Sequence, residues 1–164
     1  MVGESATREE ATSSLLARLP AEAWAVFGGS GKVGHVVVGP AGLFAISAKG
    51  WSGAIEVRDE VLRHDGRARA TAIADAADAA SLVARLVPSV PRAHVRSMLC
   101  FVRAEPLATC AAGILLCSSS SLLGTLTSLP PALTPGDVRR ASADLRRVLP
   151  SAEPTRRELW AWTA

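Results

Sequence analysis

The sequence predicts an α/β fold in which a mixed sheet, a strand meander plus two further strands, is flanked by helices. Three observations carry this expectation. Between Trp24 and His64, short runs rich in β-branched residues alternate with turn residues. Two later runs, Ser97 to Val102 and Gly113 to Cys117, are continuously apolar, as strands buried on both faces are. Segments with helical spacing precede, separate and follow these strands.

Taken in order, Thr7 to Leu19 has an apolar stripe at Ala11, Leu15, Leu16 and Leu19. Thr7 and Glu10 stand at capping-box spacing, and Pro20 ends the helix. Trp24 to Phe27 reads as a strand leading into glycines. The stretch from Val33 to Gly53 is the centre of the pattern. His35 to Val38 and Leu43 to Ala48 form a hairpin about Gly39-Pro40-Ala41-Gly42, where Pro presets φ and Gly accepts positive φ. A side-chain period of two puts Phe44, Ile46 and Ala48 on one face and Leu43, Ala45, Ser47 and Lys49 on the other. Two more strands, Ile55 to Arg58 and Val61 to His64, are joined by Asp59-Glu60, and Asp65-Gly66 closes the meander.

Thr71 to Leu86 then reads as a long helix whose Ala-rich stripe implies close packing on a sheet, and Pro88 and Pro91 stop it. After the two apolar strands, Ser118 to Ser121 caps a short helix through Leu126. Thr134-Pro135-Gly136-Asp137 opens a last helix with Val138, Ala141, Leu145, Val148 and Leu149 inward. Residues 1–150 are expected to form a single domain and 151–164 a tail bearing Trp160 and Trp162.

Composition narrows the class. With 164 residues, 49% hydrophobic and 20% charged, the chain should bury a proper core. No apolar run reaches the ~18 residues of a membrane span, and the N-terminus lacks a signal-peptide pattern, so a cytoplasmic protein without a membrane partner is expected. Cys100, Cys110 and Cys117 lack metal-ligand spacing, and the first and last read as reduced core residues. A net charge of +3 permits a polyanionic partner. Gly29, Gly31 and Gly34 match a dinucleotide fingerprint, but a strand follows them where the pyrophosphate needs a helix N-terminus.

Of 18 basic residues only Lys32 and Lys49 are lysine. Lys and Arg are not interchangeable at sites, which draws attention to Lys49 at the end of its strand. The run HVVVGPAGLFAISAKGWSGAIEVRDEVLRHDGR resembles the nuclease-related domain (NERD) family, as found in actinobacterial proteins. The resemblance extends to SMLCFVRAEPL, GILLCSSSSLLGTL and LTPGDVRRASADLRRVL, in the right order. It implies a PD-(D/E)XK, restriction-endonuclease-like fold. It also implies a site made of a Glu on the first helix, an Asp before the His of the first central strand, and an acidic-x-Lys triplet ending the next. Such carboxylates would hold Mg²⁺, which activates water and stabilises charge on phosphate, while Lys supports the transition state.

On that pattern Glu9 takes the helical Glu, with Arg8 where Gly usually precedes it, and Lys49 takes the Lys. Gly34 stands in the Asp position and Ser47 in the acidic position, so two of three carboxylates are missing. Glu56 on the following strand is a substitute ligand to consider. His35 falls on the face opposite Gly34 and reads as structural. The sequence therefore leaves three readings. One is a catalytically degenerate domain that binds nucleic acid or protein without a cofactor. Another is an active Mg²⁺-dependent nuclease with a rearranged site. The third is a protein-interaction module acting through Trp160 and Trp162.

Overall fold

The computed structural model describes residues 2–29 and 32–152; Trp160 and Trp162 lie outside them. Helix α1 (Val2–Leu16) starts well before the cap expected at Thr7. Thr7 sits inside the helix, and its hydroxyl donates to the Gly3 carbonyl one turn back at 2.7 Å. That bond is the interior alternative to capping for a Thr. The helix closes through tighter turns, with Arg18 N donating to Leu15 O and Leu19 N to Leu16 O, before Pro20.

Strands β1 (Ala25–Gly28), β2 (His35–Gly39) and β3 (Gly42–Lys49) pair antiparallel. At the β2–β3 turn Gly39 pairs with Gly42, and a Cβ on Gly39 would lie 2.2 Å from the Trp24 ring. The indole can cover this turn only because the residue beneath it has no side chain.

The expected continuous meander divides here. β4 (Ile55–Arg58), β5 (Val61–His64) and β6 (Arg67–Ala68) form a separate three-stranded sheet. The break falls at Gly53, whose φ is +93° and whose bare Cα makes room for the Asp65 carboxylate. Asp65 Oδ1 then accepts from Ala54 N at 2.8 Å. The hairpin turns at Asp59-Glu60 and Asp65-Gly66 have positive φ at both residues, the twist that suits a two-residue hairpin.

Helix α2 (Ala70–Leu86) buries Ala76, Ala79, Ala80 and Val83. Its backbone comes close enough for the buried Ser97 hydroxyl to donate to the Ala76 carbonyl. Beyond a single turn at Arg92–His94, β7 (Val95–Phe101) runs parallel to β3. β8 (Ala108–Ala111), a strand not expected from the sequence, forms one sheet edge beside β9 (Ile114–Ser118). Helix α3 (Leu122–Ser128) follows, without a side-chain cap from Ser121. Helix α4 (Pro135–Arg146) starts with the reciprocal Thr134–Asp137 box and ends before Val148, which is 56% exposed rather than inward.

The main sheet has the order β1-β2-β3-β7-β9-β8, so β3 is an interior strand, antiparallel to one neighbour and parallel to the other. Its Phe44 and Ile46 join Leu16, Met98, Leu122 and Leu126 on one face. Its Leu43 and Ala45 join Val83 and Leu145 on the other. The fold is thus mixed α/β with helices on both faces, compatible with a restriction-endonuclease-like arrangement. Cys100 and Cys117 are buried register partners on β7 and β9, and Cys110 is exposed. Among the described residues no helix is long and apolar enough to cross a membrane.

Candidate functional site

The end of β3 is where the sequence places its chemistry. In the β2–β3 ladder His35 pairs with Ile46, which brings Gly34 beside Ser47. A Cβ on Gly34 would lie 3.0 Å from Ile46 O and 3.8 Å from Ser47 Cα. Two residues beyond Ser47, Lys49 lies on the same face by alternation, the face carrying Leu43 and Ala45 toward α2. Neither of the first two positions presents charge. Gly34 has no side chain, and the Ser47 hydroxyl donates to Lys32 O at 2.9 Å.

The chain's two lysines have separate surroundings. Lys32 Nζ bonds to Asp75 Oδ1 at 2.8 Å and lies 3.6 Å from Asp78 Oδ2, both on α2. The hydrogen bond that Lys32 donates to Asp75 raises the Lys32 pKa above the ordinary ammonium value. These groups are exposed, so solvent screening leaves the pair little weight in stability. Half-buried Lys49 has no carboxylate within ion-pair distance among the described residues.

Glu9 is not joined to Lys49. It sits on α1, four residues before Ser13, so the two share a helix face. That face meets His35, whose Nε2 lies 2.6 Å from Ser13 Oγ. Burial pushes the His35 pKa below the ordinary imidazole value, and the nearby Glu9 carboxylate pulls it partly back up. Glu9 and His35 therefore belong to the α1 side of the sheet, while Ser47 and Lys49 point toward α2.

Glu56 lies on β4, exposed and in register with Arg63 on β5. Its neighbours Ile55 and Val57 pack inward, so alternation turns Glu56 outward on the smaller sheet. The serine run is also accounted for. Ser118 Oγ contacts Ser120 and Ser121 and accepts from Leu107 N at 3.1 Å, while Ser119 Oγ bonds Arg103 N and O. These bonds tie the 103–107 loop to the end of β9.

Residues 49–53 gather basic side chains that the sequence did not single out. Arg8 from α1 lies across Gly50, where a Cβ would be 2.6 Å from its Cδ and 2.8 Å from its Nη1. Arg8 also lines an open groove of about 400 Å³ with Thr7, Gly50 and Val102. Arg69 Cζ stands 5.4 Å from the centre of the Trp51 ring, and Arg103 Nη1 donates to Gly53 O at 2.7 Å. Trp51 itself stacks on His64 at 5.0 Å and meets Phe101 at 5.4 Å. Arg69 Nη2 donates to His64 Nδ1 at 3.1 Å, which leaves Nε2 as the protonated nitrogen that donates to Ser52 O. Arg8 had one local signal, a cation where the resembled family carries glycine. Arg69 had none, because packing alone brings it to Trp51.

This donor set does not fit Mg²⁺. The ion demands near-octahedral oxygen ligation anchored on one or two carboxylates. The strand positions offer a glycine and a hydroxyl already engaged with Lys32 O, and the helical Glu faces another residue. Among the described residues no group of three or more His, Cys, Asp or Glu converges to hold a metal.

No curated protein and no solved structure matches the chain. The family described as Nuclease-related domain matches residues 5–102, which run from α1 to just past β7 and include every position discussed on β2 and β3. By that match the chain belongs to the nuclease-related domain family.

Proposed function

We propose that this domain keeps the nuclease-like fold but has lost hydrolysis, and that it acts as a module binding nucleic acid through its phosphates. The carrying observation is that Gly34 lies beside Ser47, two residues before Lys49 on the same strand. Where a nuclease of this type would set carboxylates around a divalent ion, this chain has no negative charge. A cation without a metal beside it binds a phosphodiester but does not generate the hydroxide that cleaves it. The neighbourhood of Lys49 is basic, with Arg8 and Arg69 on the next two residues, which suits an anionic ligand.

The test is a cleavage assay on single-stranded and duplex DNA and RNA with Mg²⁺ or Mn²⁺, run beside a binding assay at low salt. The proposal expects binding without cleavage. Metal-dependent cleavage that disappears in Lys49→Ala would overturn it, and Glu56 would then be the first replacement ligand to substitute.

A further inference from the structure

Cys100 on β7 and Cys117 on β9 are register partners across two parallel strands. Both side chains point to the same face of the sheet, where they join the apolar cluster of Met98 and Leu115. Neighbouring strands run about 4.8 Å apart, inside the Cα separation of about 4.4–6.8 Å that disulfides span. Joining the two sulfurs therefore needs no change of strand pairing.

The thiols also act on each other. A hydrogen bond with Cys117 holds the Cys100 pKa below the ordinary thiol value, against the opposing effect of burial. The same bond, reinforced by burial, pushes the Cys117 pKa far above it. Cys117 is thus the donor and Cys100 the sulfur that ionises first, and the ionised sulfur is the nucleophile in thiol chemistry.

The route in from solvent is short. Cys117 lies one strand from the sheet edge, in register with Ala108 of β8, and Ala108, Thr109 and Cys110 are small and exposed. β8 is 4 residues long, and a short, exposed edge strand opens at low cost. Cys110 itself pairs with Leu115 and is only a diagonal neighbour of Cys117. That separation, about 7–8 Å, is not bridged without backbone movement.

We infer that Cys100 and Cys117 are a reversible oxidation site, which a small hydroperoxide converts into an intrachain disulfide between β7 and β9. The Cys100 sulfur attacks one peroxide oxygen, the O–O bond breaks, and the departing oxygen takes up the Cys100 proton to leave as water. Cys100 is then a sulfenic acid. The Cys117 sulfur attacks the Cys100 sulfur, the S–O bond breaks, and the Cys117 proton leaves with the oxygen as a second water. One peroxide is reduced and two thiols are oxidised. The inference stands apart from the nucleic-acid reading above.

The test oxidises the folded protein with a few-fold excess of hydrogen peroxide, blocks the remaining thiols with iodoacetamide in denaturant, and maps tryptic peptides without reductant. Cleavage at Arg96, Arg103 and Arg139 leaves Cys100 in one peptide and both Cys110 and Cys117 in another. Cys110→Ser is therefore the variant that reads the pair. It should lose both thiols together, yield the two peptides linked, keep a cooperative thermal melt, and regain both thiols in dithiothreitol. Adding Cys100→Ala or Cys117→Ala to it should abolish the linked peptide. If Cys110→Ser does not fold, wild type with Cys110 alkylated in the folded state takes its place. Retention of both thiols in Cys110→Ser, under conditions that oxidise Cys110 of wild type, would overturn the inference. Sulfinic acid at either cysteine without the linked peptide would overturn it as well.

Discussion

Ser13 on α1 and His35 at the start of β2 are joined by a hydrogen bond of 2.6 Å. It fastens the first helix to the central hairpin, where Leu16, Phe44 and Ile46 share one buried apolar cluster. The imidazole is 4% exposed and held neutral by burial. Its folded pKa is below 6.5, the value it takes when unfolded. Well above pH 6.5 both states are uncharged and the group contributes no pH dependence. As pH falls below 6.5 the unfolded chain takes up a proton that the folded chain refuses, so stability declines until the folded pKa is passed. Denaturant titrations at pH 7.5 and pH 5.5 should show wild type losing more stability than His35→Gln. Equal losses would mean that His35 is not the group responsible.

The same pair gives a spectroscopic prediction. Glu9 raises the His35 pKa against the effect of burial. An NMR titration of Glu9→Gln should place the His35 pKa lower still than in wild type. An unchanged value would show that Glu9 does not act on this imidazole.

Gly39 carries the Trp24 indole on its bare Cα. Gly39→Ala would place a methyl 2.2 Å from the ring, so the indole must move or the turn must open. Overpacking of this kind costs about 1–3 kcal/mol, read as a lowered denaturation midpoint with unchanged m-value. A substitution without effect would show that the ring moves aside freely.

Ala80 on α2 makes the corresponding case for the other face. It is 3% exposed in the core with Val36, Val38 and Ala45. Ala80→Leu should destabilise by about 1–3 kcal/mol, whereas Ala77→Leu on the exposed side of the same helix should be near neutral. Similar costs at both positions would contradict the close helix–sheet contact.

Restoring charge at the strand positions tests the donor-set argument. Gly34→Asp with Ser47→Glu should cost stability. The new Cβ at position 34 comes within 3.0 Å of Ile46 O, and the Ser47 bond to Lys32 O is lost. In exchange the double variant should gain a Mg²⁺-dependent rise in melting temperature that wild type lacks, since only a native state with ligands is stabilised by the ion. The same Mg²⁺ response in both proteins would refute the argument.

What could be read in advance follows from which interactions are local. The hairpin about Gly39 to Gly42 and the buried runs of β7 and β9 are written in adjacent residues, so their strands were legible, as was the Thr134 start of α4. β8 was not, because Ala108 to Cys110 are small and exposed, with neither alternation nor an apolar run. Thr7 and Glu10 match a capping box, but the helix starts upstream at Val2 and turns the threonine to an internal bond. The division of the meander depends on Gly53 meeting Asp65, which no window around Gly53 contains. For the site, the shared face of Ser47 and Lys49 is arithmetic on a strand. The approach of Arg8 and Arg69 to residues 50 and 51 is tertiary packing with no period to detect.

The parallel pairing of β3 with β7 sets the order in which the polypeptide can acquire its shape during synthesis. Lys49 lies beside Phe101, and Phe101 beside Ser118. Until Val95 to Phe101 has left the ribosome, the hairpin of β2 and β3 holds an interior strand with one flank of backbone donors and acceptors unmatched. Loop closure across the intervening small sheet and α2 must precede that pairing, which makes it a slow step. The nascent chain is therefore most prone to misassociate in the interval when the lysine strand exists and its parallel neighbour does not.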